Sequence, residues 1–475
     1  MNRPSWLARW TAPVALTAIL VSPRVGADED PALPRASADE TPPLPGARAD
    51  ETPPPPRASV DQAPPSPRAS ADAPTWPRTS VDEGAWVTMT PYGFLNGEAE
   101  FVSADGGATP YRPRGRVSDG NSRFGLAGTI KLSTSVRAVW QIEGGLGSFD
   151  QGGVNDQGYP TTLVARNTFV GVLDRRFGRL IVGYNESAYR TLVGSAGEFG
   201  GNLGLTKTGL DVWNNTSAQM SGNPDSIFSR GEDRYKNSIH YDSPTLAGFN
   251  LAASYSFDEA ITGGRLRQRY SVGIRYGWGP IMVGAGYDHH AHTGVNLDRL
   301  RAGTGFLVDG EEGVATNFYK ALAVLHLPTH TSIAGGYEIA RYGYSDFEPP
   351  STTEYYPWVG TGIMQQSGAL ASVTQGLFHD HLVLMAEGGH LWGLGGAVVG
   401  QPEDYQAWQF SVGAKVMLGD RFSTYVYYTQ IRNHVGQNVN LGEAPLYSNN
   451  LGSSAAYLAP GDCPRAAGIG TIARF

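Results

Sequence analysis

The sequence predicts an all-β protein, a 16-stranded antiparallel transmembrane β-barrel preceded by a disordered proline-rich segment. Three observations support this fold class. From residue 86 onward, large apolar residues alternate with small or polar ones. Short turns and long loops alternate between these segments. The 475-residue chain also combines 62 Gly and 11% aromatic residues with only 17% charged residues, which is unusual for a soluble protein.

The alternating segments are the predicted strands. Period-two alternation gives a strand one apolar and one polar face. In residues 249–257, for example, the odd positions are mostly large and apolar, whereas the even ones are small or polar. Sixteen such segments are predicted, at 87–101, 122–132, 135–147, 164–173, 179–187, 236–243, 248–258, 268–277, 280–290, 316–327, 330–344, 366–376, 379–393, 405–417, 421–432 and 465–475.

The connections indicate how the strands are arranged. Short turns such as Ser133-Thr134 alternate with long loops, of which 102–121 is the first and 188–235 the longest. This asymmetry is typical of an outer-membrane barrel, whose closure removes the strand edges that lipid cannot solvate. A soluble β-sandwich array or secreted adhesin would instead bury its apolar faces in internal cores.

Strand length favours the barrel, because segments of about 9–11 residues cross a bilayer when tilted. Aromatic residues near the strand ends predict an interfacial girdle. They are Tyr92, Tyr184, Tyr255, Tyr287, Tyr342, Tyr344, Tyr427 and Tyr428.

The N-terminus predicts export. Arg3 and Arg9 form a positively charged region before a short apolar run at 10–21, and small residues at 25–27 precede an acidic stretch. This is the pattern of a cleaved secretory signal peptide. Because the run is too short for a membrane anchor, residues 1–27 are predicted to be the signal peptide.

Residues 28–84 form a proline-rich repeat. Units of ten or eleven residues start at Pro34, Pro45, Pro56, Pro67 and Pro77. Proline stops helix and sheet propagation, and the segment has too few large apolar side chains to fold. It is predicted to be a disordered periplasmic tether ahead of the barrel at 85–475. A passive linker is one interpretation. The regular Arg and Asp in each unit also suggest peptidoglycan as a partner.

Composition excludes several functions. The net charge is −8 and basic runs are absent, so the chain is not expected to bind nucleic acid. Its single cysteine, Cys463, excludes a disulfide framework and a Cys-rich metal site. The residues Asp288, His289, His290 and His292 form a solvated cluster more readily than a metal site. No metal, cofactor or enzymatic activity is predicted.

Several motifs resemble the Gram-negative general porin family, the trimeric porins of proteobacterial outer membranes. They are TMTPYGFLNGEAEFV (88–102), SRFGLAG (122–128), ARNTFVGVLDRRFGRLIVGYN (165–185), YKNSIHYDSPTLAGFNLAASY (235–255) and the terminal ARF (473–475). The resemblance covers most of residues 86–475. It implies a homotrimeric, sixteen-stranded, water-filled pore in the outer membrane, surrounded by its lipids. Phe475 is similar to the C-terminal aromatic residue that the outer-membrane assembly machinery recognises in such barrels.

The resemblance also implies a constriction, where an inward-folded third loop faces a basic wall. Here the third long loop, 188–235, contains the sequence GEFGG at 197–201, similar to PEFGG of enterobacterial porins. Its predicted acidic residues are Glu198 and Asp211.

Strand alternation predicts the basic side of the constriction from the residues themselves. If the large apolar side chains face lipid, then Arg123, Lys131, Arg166 and Lys236 face the lumen. A cation facing lipid at mid-depth would cost about 2–4 kcal/mol, which supports this assignment. The resemblance places Arg123, Arg166 and Lys236 in the family's basic wall.

Two more charged residues are predicted to face the lumen. They are Arg137 and Glu143 on the third predicted strand, and these opposite charges could pair with each other.

The predicted function is passive diffusion of small hydrophilic solutes and ions across the outer membrane, through a pore narrowed by loop 188–235. Two alternatives remain open at this point. One is a substrate-selective channel, and the other is a barrel that anchors a cell-wall-interacting N-terminal arm. A barrel protease or phospholipase is less favoured, because no Ser/His/Asp arrangement can be identified in the sequence.

Overall fold

The computed structural model describes residues 86–108, 110–118, 122–146, 163–194, 227–257, 267–292, 295–296, 315–345, 362–397, 400–441 and 458–475. The predicted signal peptide and proline-rich segment lie outside these residues. The first nine strands are β1 (Val87–Asp105), β2 (Tyr111–Ser118), β3 (Arg123–Lys131), β4 (Val136–Leu146), β5 (Leu163–Asp174), β6 (Gly178–Glu186), β7 (Arg234–Asp242), β8 (Phe249–Ser256) and β9 (Arg269–Trp278).

The remaining strands are β10 (Ile281–His290), β11 (Val295–Asn296), β12 (Thr316–Leu327), β13 (Thr331–Ser345), β14 (Gly362–Leu377), β15 (Leu382–Leu391), β16 (Ala407–Met417), β17 (Phe422–Asn433) and β18 (Cys463–Arg474). Helix α1 spans Ala188–Val193, and a 3₁₀ helix spans Pro402–Tyr405. Within the described ranges, no helix has both the length and the apolar content needed to cross a membrane.

The strands close into a ring. β1 pairs with β18 on one side, and on the other with β2 along 98–104 and with β3 along 87–94. β2 and β3 therefore form successive parts of one barrel strand. β11 contributes only a two-residue parallel pairing with β13. Over the described part of the chain, sixteen antiparallel barrel strands result, which confirms the predicted fold class.

One predicted loop is wrong. Residues 102–121 are not all loop, because β1 continues to Asp105 and β2 pairs back against it, with Ala104 opposite Tyr111. The sequence of β2, YRPRGRVS, has no row of large apolar residues. A lipid-facing strand is predicted from a row of large apolar residues at alternate positions. Because β2 lacks such a row, the sequence pattern could not predict this part of the hairpin.

The outward face is apolar, as a lipid-facing surface requires. Val170 and Val172 of β5 are exposed next to Leu180 and Val182 of β6. The alternate residues Phe169 and Ile181 point inward and are buried. On β5 this reverses the sequence prediction, which placed Phe169 on the lipid-facing side and Arg166 opposite it: Phe169 is buried inside, and Val170 and Val172 form the outward face.

The inner face departs from the simple polar pattern on β12, where Phe318, Leu322 and Val324 are buried. β12 is therefore apolar on both faces. The inward side chains do not line open water but pack in a continuous core with segments that connect the strands, including Leu192 of α1 and Phe228.

The predicted aromatic girdle is only partly correct. Tyr255 and Tyr428 are exposed on the outward face. Tyr342 and Tyr427 are instead buried, at 1% and 7% exposure, and Tyr92 hydrogen-bonds inward to a carboxylate. Position near a strand end does not decide which face a tyrosine occupies, because alternation continues to the end of the strand.

Candidate functional site

Helix α1, at the start of the longest loop, lies against the inner wall. The Ser187 hydroxyl caps the helix by accepting the Arg190 backbone N–H at 3.1 Å. The Ala188 backbone N–H donates to the hydroxyls of Ser254 on β8 and Ser271 on β9, at 2.8 and 2.9 Å. Two strands thus hold the first turn of α1 inside the barrel.

Small residues on the wall let α1 approach closely. A Cβ atom on Gly286 of β10 would lie 2.6 Å from Val193, and one on Gly273 of β9 would lie 3.1 Å from Leu192. Both distances are too short for an unstrained contact. The inward glycines of β9 and β10 therefore provide the space that the helix occupies.

The same loop returns to the wall at residues 227–233. Phe228 is fully buried beside Gly336 of β13, where a Cβ atom would lie 2.3 Å from the phenyl ring. On β14, a Cβ atom on Gly368 would lie only 2.2 Å from the Ile227 carbonyl oxygen, so this glycine also makes room for the loop end. Both described ends of loop 188–235 therefore lie inside the barrel.

Buried charges fix this second end. We define the loop-end cluster as Arg230, Glu232, Lys320, Glu338 and Gln366. Lys320 donates to the Phe228 carbonyl oxygen at 2.6 Å, forms an ion pair with Glu232, and lies 3.0 Å from Glu338. Arg230 donates to Glu338 at 2.7 Å and to Gln366 at 3.2 Å. Each charge thus has an opposite charge nearby, as burial requires.

A second charged group lies on the inner face of β1 and β3–β7. We define the wall cluster as Tyr92, Arg123, Glu143, Arg166, Glu186 and Arg234. Glu143 accepts from Arg166 at 2.7 Å and from the Tyr92 hydroxyl at 2.9 Å. Arg123 is a diagonal cross-strand neighbour of Glu143, and its guanidinium lies 4.9 Å from the centre of the Phe94 ring.

Glu186 links the wall cluster to α1. Its carboxylate accepts from Arg234 at 3.1 Å and from Arg190 at 3.3 Å. Arg190 also donates to the Glu232 backbone carbonyl, which joins the two ends of the loop. Burial disfavours the charged guanidinium of Arg190, yet the carboxylates of Glu186 and Glu232 raise its pKa above the ordinary value. Arg190 therefore carries a permanent charge here.

The structure brings together two of the predicted basic residues, Arg123 and Arg166. It also corrects the suggested pairing of Arg137 with Glu143. The partner of Glu143 is Arg166, because Arg137 lies six residues away on the same strand, about 20 Å along it.

Lys131 and Arg137 lie away from the wall cluster. They are register partners next to the short turn between β3 and β4. Lys131 is eight residues from Arg123, about 26 Å along the strand. For Lys131 and Arg137 alternation predicts the face but not the depth, so the structure separates this pair from Arg123 and Arg166.

Lys236 lies on the other face. Its side chain is exposed, with the amine 5.8 Å from the centre of the Tyr184 ring. The adjacent Asn237 has a positive φ of 46°, and the β6–β7 register shifts at this point. Such a bulge reverses the alternation, so Lys236 points outward although Ser238 and His240 point inward. The inward prediction for Lys236 is therefore corrected.

Glu198 and Asp211, the predicted acidic side, lie outside the described residues. Phe475 is described: its backbone N–H donates to the Gly93 carbonyl at 3.1 Å, and its carbonyl accepts from the Gly93 N–H at 3.2 Å. The terminal residue thus extends the pairing between β18 and β1 that closes the barrel.

Arg234, Glu186, Arg190 and the loop-end cluster were not predicted from the sequence. Arg234 lies just before the predicted strand start at 236, on the far side of the bulge. Lys320 carried a usable signal, since it is the only charged residue in the twelve-residue strand β12. The other residues of the loop-end cluster show no recognisable pattern in the sequence, because they come together only when the loop folds back against the inner wall.

The histidines near the end of β10 do not converge. His290 points inward and lies 2.8 Å from Asp288, which accepts from Tyr235 at 2.7 Å. His289 points outward and stacks on Tyr270. No group of three or more His, Cys, Asp or Glu residues in the described ranges has the arrangement of a metal site.

Comparison with known sequences identifies one family. The sequence profile of a family described as Gram-negative porin matches residues 66–436. The chain is 27% identical over 179 residues to an outer membrane porin protein of Bordetella pertussis, covering 35% of this chain and 41% of that protein. It is 26% identical over 167 residues to the major outer membrane protein P.IB of Neisseria sicca, covering 34% and 40%. The matches thus span about two fifths of these relatives.

Comparison with solved structures agrees. The anion-selective porin from Comamonas acidovorans has a TM-score of 0.57 at 16% identity, over 82% of this chain and 100% of that one. The trimer form of OmpT from Vibrio cholerae has a TM-score of 0.50 at 16% identity, over 82% and 100%. At such low identities, the likeness concerns the fold alone.

Proposed function

This chain belongs to the Gram-negative porin family and resides in the outer membrane, and from that premise we propose that it is a pore for passive diffusion of small hydrophilic solutes and ions. The observation that carries the proposal is a closed barrel with charged side chains on its inner wall. Such a pore needs no catalytic group, because the width and electric field of its narrowest part determine what passes.

We further propose that loop 188–235 narrows the pore. Its two described ends lie against the inner wall, at α1 and at 227–233. Both described ends therefore occupy space inside the barrel. In this proposal Glu198 and Asp211 provide negative charge opposite the wall cluster, and the resulting transverse field orients polar solutes.

An anion preference is the finer proposal for this pore. Arg123, Arg166 and Arg234 of the wall cluster, with the adjoining Arg190, provide four positive charges. Glu143 and Glu186 provide two negative charges, so the wall side alone carries a net charge of +2. The proposal is that this wall charge, rather than the acids of the opposite loop, sets the preference. The Comamonas acidovorans porin with a similar fold is described as anion-selective, which is consistent with this sign.

We also propose a homotrimer. The supporting observation is the OmpT structure, which is described as a trimer form and shares the fold. In this arrangement each subunit contains its own pore, so three subunits should conduct in equal and separable steps.

Planar-bilayer recording of the refolded full-length protein tests these proposals. Stable conductance in three equal steps supports a trimeric diffusion pore. Absence of conductance from folded, inserted protein would overturn the pore. A single step would reject only the trimer.

Charge reversal tests the role of the wall cluster. The double variant Arg123→Glu/Arg166→Glu should shift the reversal potential in a KCl gradient toward cation preference, because two positive charges become negative. The control is Arg176→Glu, in the exposed turn after β5. An unchanged reversal potential in the double variant would show that these arginines do not set the field.

A further inference from the structure

An exposed group of aromatic and basic side chains lies on β15–β17. We define the indole patch as His390, Trp392, Trp408, Arg432 and His434. The guanidinium of Arg432 lies over the Trp408 ring, 4.9 Å from its centre. The rings of His390 and Trp392 meet edge to face, with their centres 4.9 Å apart.

The patch faces away from the lumen. His390 pairs with Trp408, and Trp408 with Arg432, so these residues form one row across three strands. Their neighbours Leu391, Ala407 and Ile431 point inward and are buried. Trp392 and Trp408 remain 42% and 37% exposed. The outward row therefore presents indole rings and a guanidinium to the surroundings of the barrel.

The patch also lies at a defined depth. The residues are near the ends of β15–β17 that lead into long loops, opposite the short turns at 378–381 and 418–421. In outer-membrane barrels the long loops are extracellular. Indole rings favour the boundary between headgroups and hydrocarbon. The patch is thus placed at the headgroup level of the outer leaflet.

The charge of the patch is positive. Within the described ranges, no carboxylate forms an ion pair with Arg432. The acidic residues closest in sequence to Trp408 are Glu403 and Asp404 on the 3₁₀ helix, and Asp404 accepts the Gln401 backbone N–H at 2.8 Å. Stacking on Trp408 occupies the flat face of Arg432 and leaves the N–H groups at its edge available as donors.

We propose that the indole patch binds the phosphate of an anionic lipid headgroup in the outer leaflet. Arg432 donates hydrogen bonds to the phosphate oxygens, since a guanidinium matches phosphate geometry with two parallel bonds. Trp392 and Trp408 contact the same lipid at the boundary between its headgroup and its acyl chains. This binding does not depend on the pore, because the indole patch lies on the outer surface of the barrel, whereas the wall cluster lies on its inner surface.

Native mass spectrometry tests the proposal directly. The full-length protein is mixed in detergent with equimolar phosphatidylglycerol and phosphatidylcholine, and the retained lipids are counted. Wild-type protein should retain phosphatidylglycerol preferentially. Arg432→Gln should lower that retention on the order of tenfold, the size expected for one charge-assisted hydrogen bond. Trp408→Leu, which keeps the charge, should lower it as well.

Arg421→Gln is the matched control, because Arg421 is exposed at the short-turn end of the same strand, β17. It should retain as much anionic lipid as wild-type protein. Equal retention of both lipids by wild-type protein, or undiminished retention by Arg432→Gln, would overturn the proposal. A changed oligomeric state in Arg432→Gln with unaltered lipid retention would overturn it too, and would identify the patch as a contact between copies. Conductance, measured in parallel, should stay unchanged in all variants.

Discussion

Glu143 illustrates how a single side chain organises the basic wall. It accepts hydrogen bonds from Arg166 and Tyr92 and lies diagonally across from Arg123, although these residues come from four different strands. Without this carboxylate, the neighbouring guanidinium groups would repel one another. Glu143 therefore fixes the positions of the arginines and also reduces the positive charge that they present to the lumen.

We predict that Glu143→Gln makes the pore more anion-preferring, because the arginines remain while one negative charge is lost. Loss of the charged partner of Arg166 should also lower stability by about 1–3 kcal/mol. Reversal potentials and unfolding midpoints measure the two effects. Asp420→Asn, in the exposed turn between β16 and β17, is the control and should change neither quantity. A shift toward cations would contradict the prediction.

At the scale of elements, helix α1 and segment 227–233 determine the shape of the inner wall. Helix α1 is held by neutral hydroxyl groups and by the ion pair between Arg190 and Glu186, and segment 227–233 is held by buried charges. Glycines on β9, β10, β13 and β14 provide the space for both. The strands and the loop ends are therefore complementary, and each attachment can be tested separately.

The double variant Ser254→Ala/Ser271→Ala should loosen α1. It removes both acceptors of the Ala188 N–H, and leaving a buried donor unpaired costs about 1–3 kcal/mol. We expect noisier single-channel currents from a less firmly held loop. Ser372→Ala on the inner face of β14 serves as the control, since that hydroxyl has no hydrogen-bond partner among the described residues. Equal current noise in both variants would argue against the role of α1 as an anchor.

The glycines of β13 allow a sharper comparison. Gly336→Ala should displace Phe228, because the new Cβ would lie 2.3 Å from its ring, and should increase conductance by moving the loop end away from the wall. Gly335→Ala adds a Cβ atom on the adjacent residue. There the nearest atom, the Leu370 carbonyl oxygen, would be 3.6 Å away, which is a normal van der Waals distance. Single-channel conductance should therefore change in Gly336→Ala and not in Gly335→Ala. Identical values would show that Phe228 does not influence the pore.

At the scale of the whole molecule, the two ends of the barrel sequence meet. β1 pairs with β18 over twelve residue pairs, and Phe475 extends this contact to Gly93. Among the described strands, this closure leaves no edge facing lipid, where an unpaired backbone group would cost several kcal/mol. Residues 463–475 thus complete the ring by pairing with β1.

We predict that Phe475→Ser reduces the amount of folded protein in the outer membrane, because the terminal aromatic side chain is expected to serve in recognition by the assembly machinery. The backbone pairing with Gly93 remains possible, so refolding in detergent should be affected less. Heat-modified gel mobility of membrane fractions measures folded protein. Phe475→Tyr, which keeps an aromatic ring, should behave like wild type. Normal assembly of Phe475→Ser would contradict the expectation that the assembly machinery recognises this aromatic side chain.

The candidate site was predictable only in part. Arg123 was identified correctly from alternation, because its neighbours Phe124 and Leu126 form a clear outward row. Arg166 also faces the lumen, but for a reason that alternation does not contain: the β4–β5 register shifts so that both Arg166 and Asn167 lie opposite Glu143. Lys236 was misplaced, because the bulge at Asn237 reverses the faces and gives no apolar signal of its own. Arg230 and Glu232 were missed, since their contacts with β12 and β13 join residues about a hundred positions apart.

By itself, the sequence determined the barrel, its strand number and most of its lipid-facing surface, because these follow from local period-two patterns and from turn lengths. Only the tertiary structure decided which parts of the inner wall are covered by the loop ends, and which charged residues pair with each other. It also decided the depth at which each charge lies. Those features arise from contacts between distant segments, and a local pattern cannot specify how a chain folds back into its own interior.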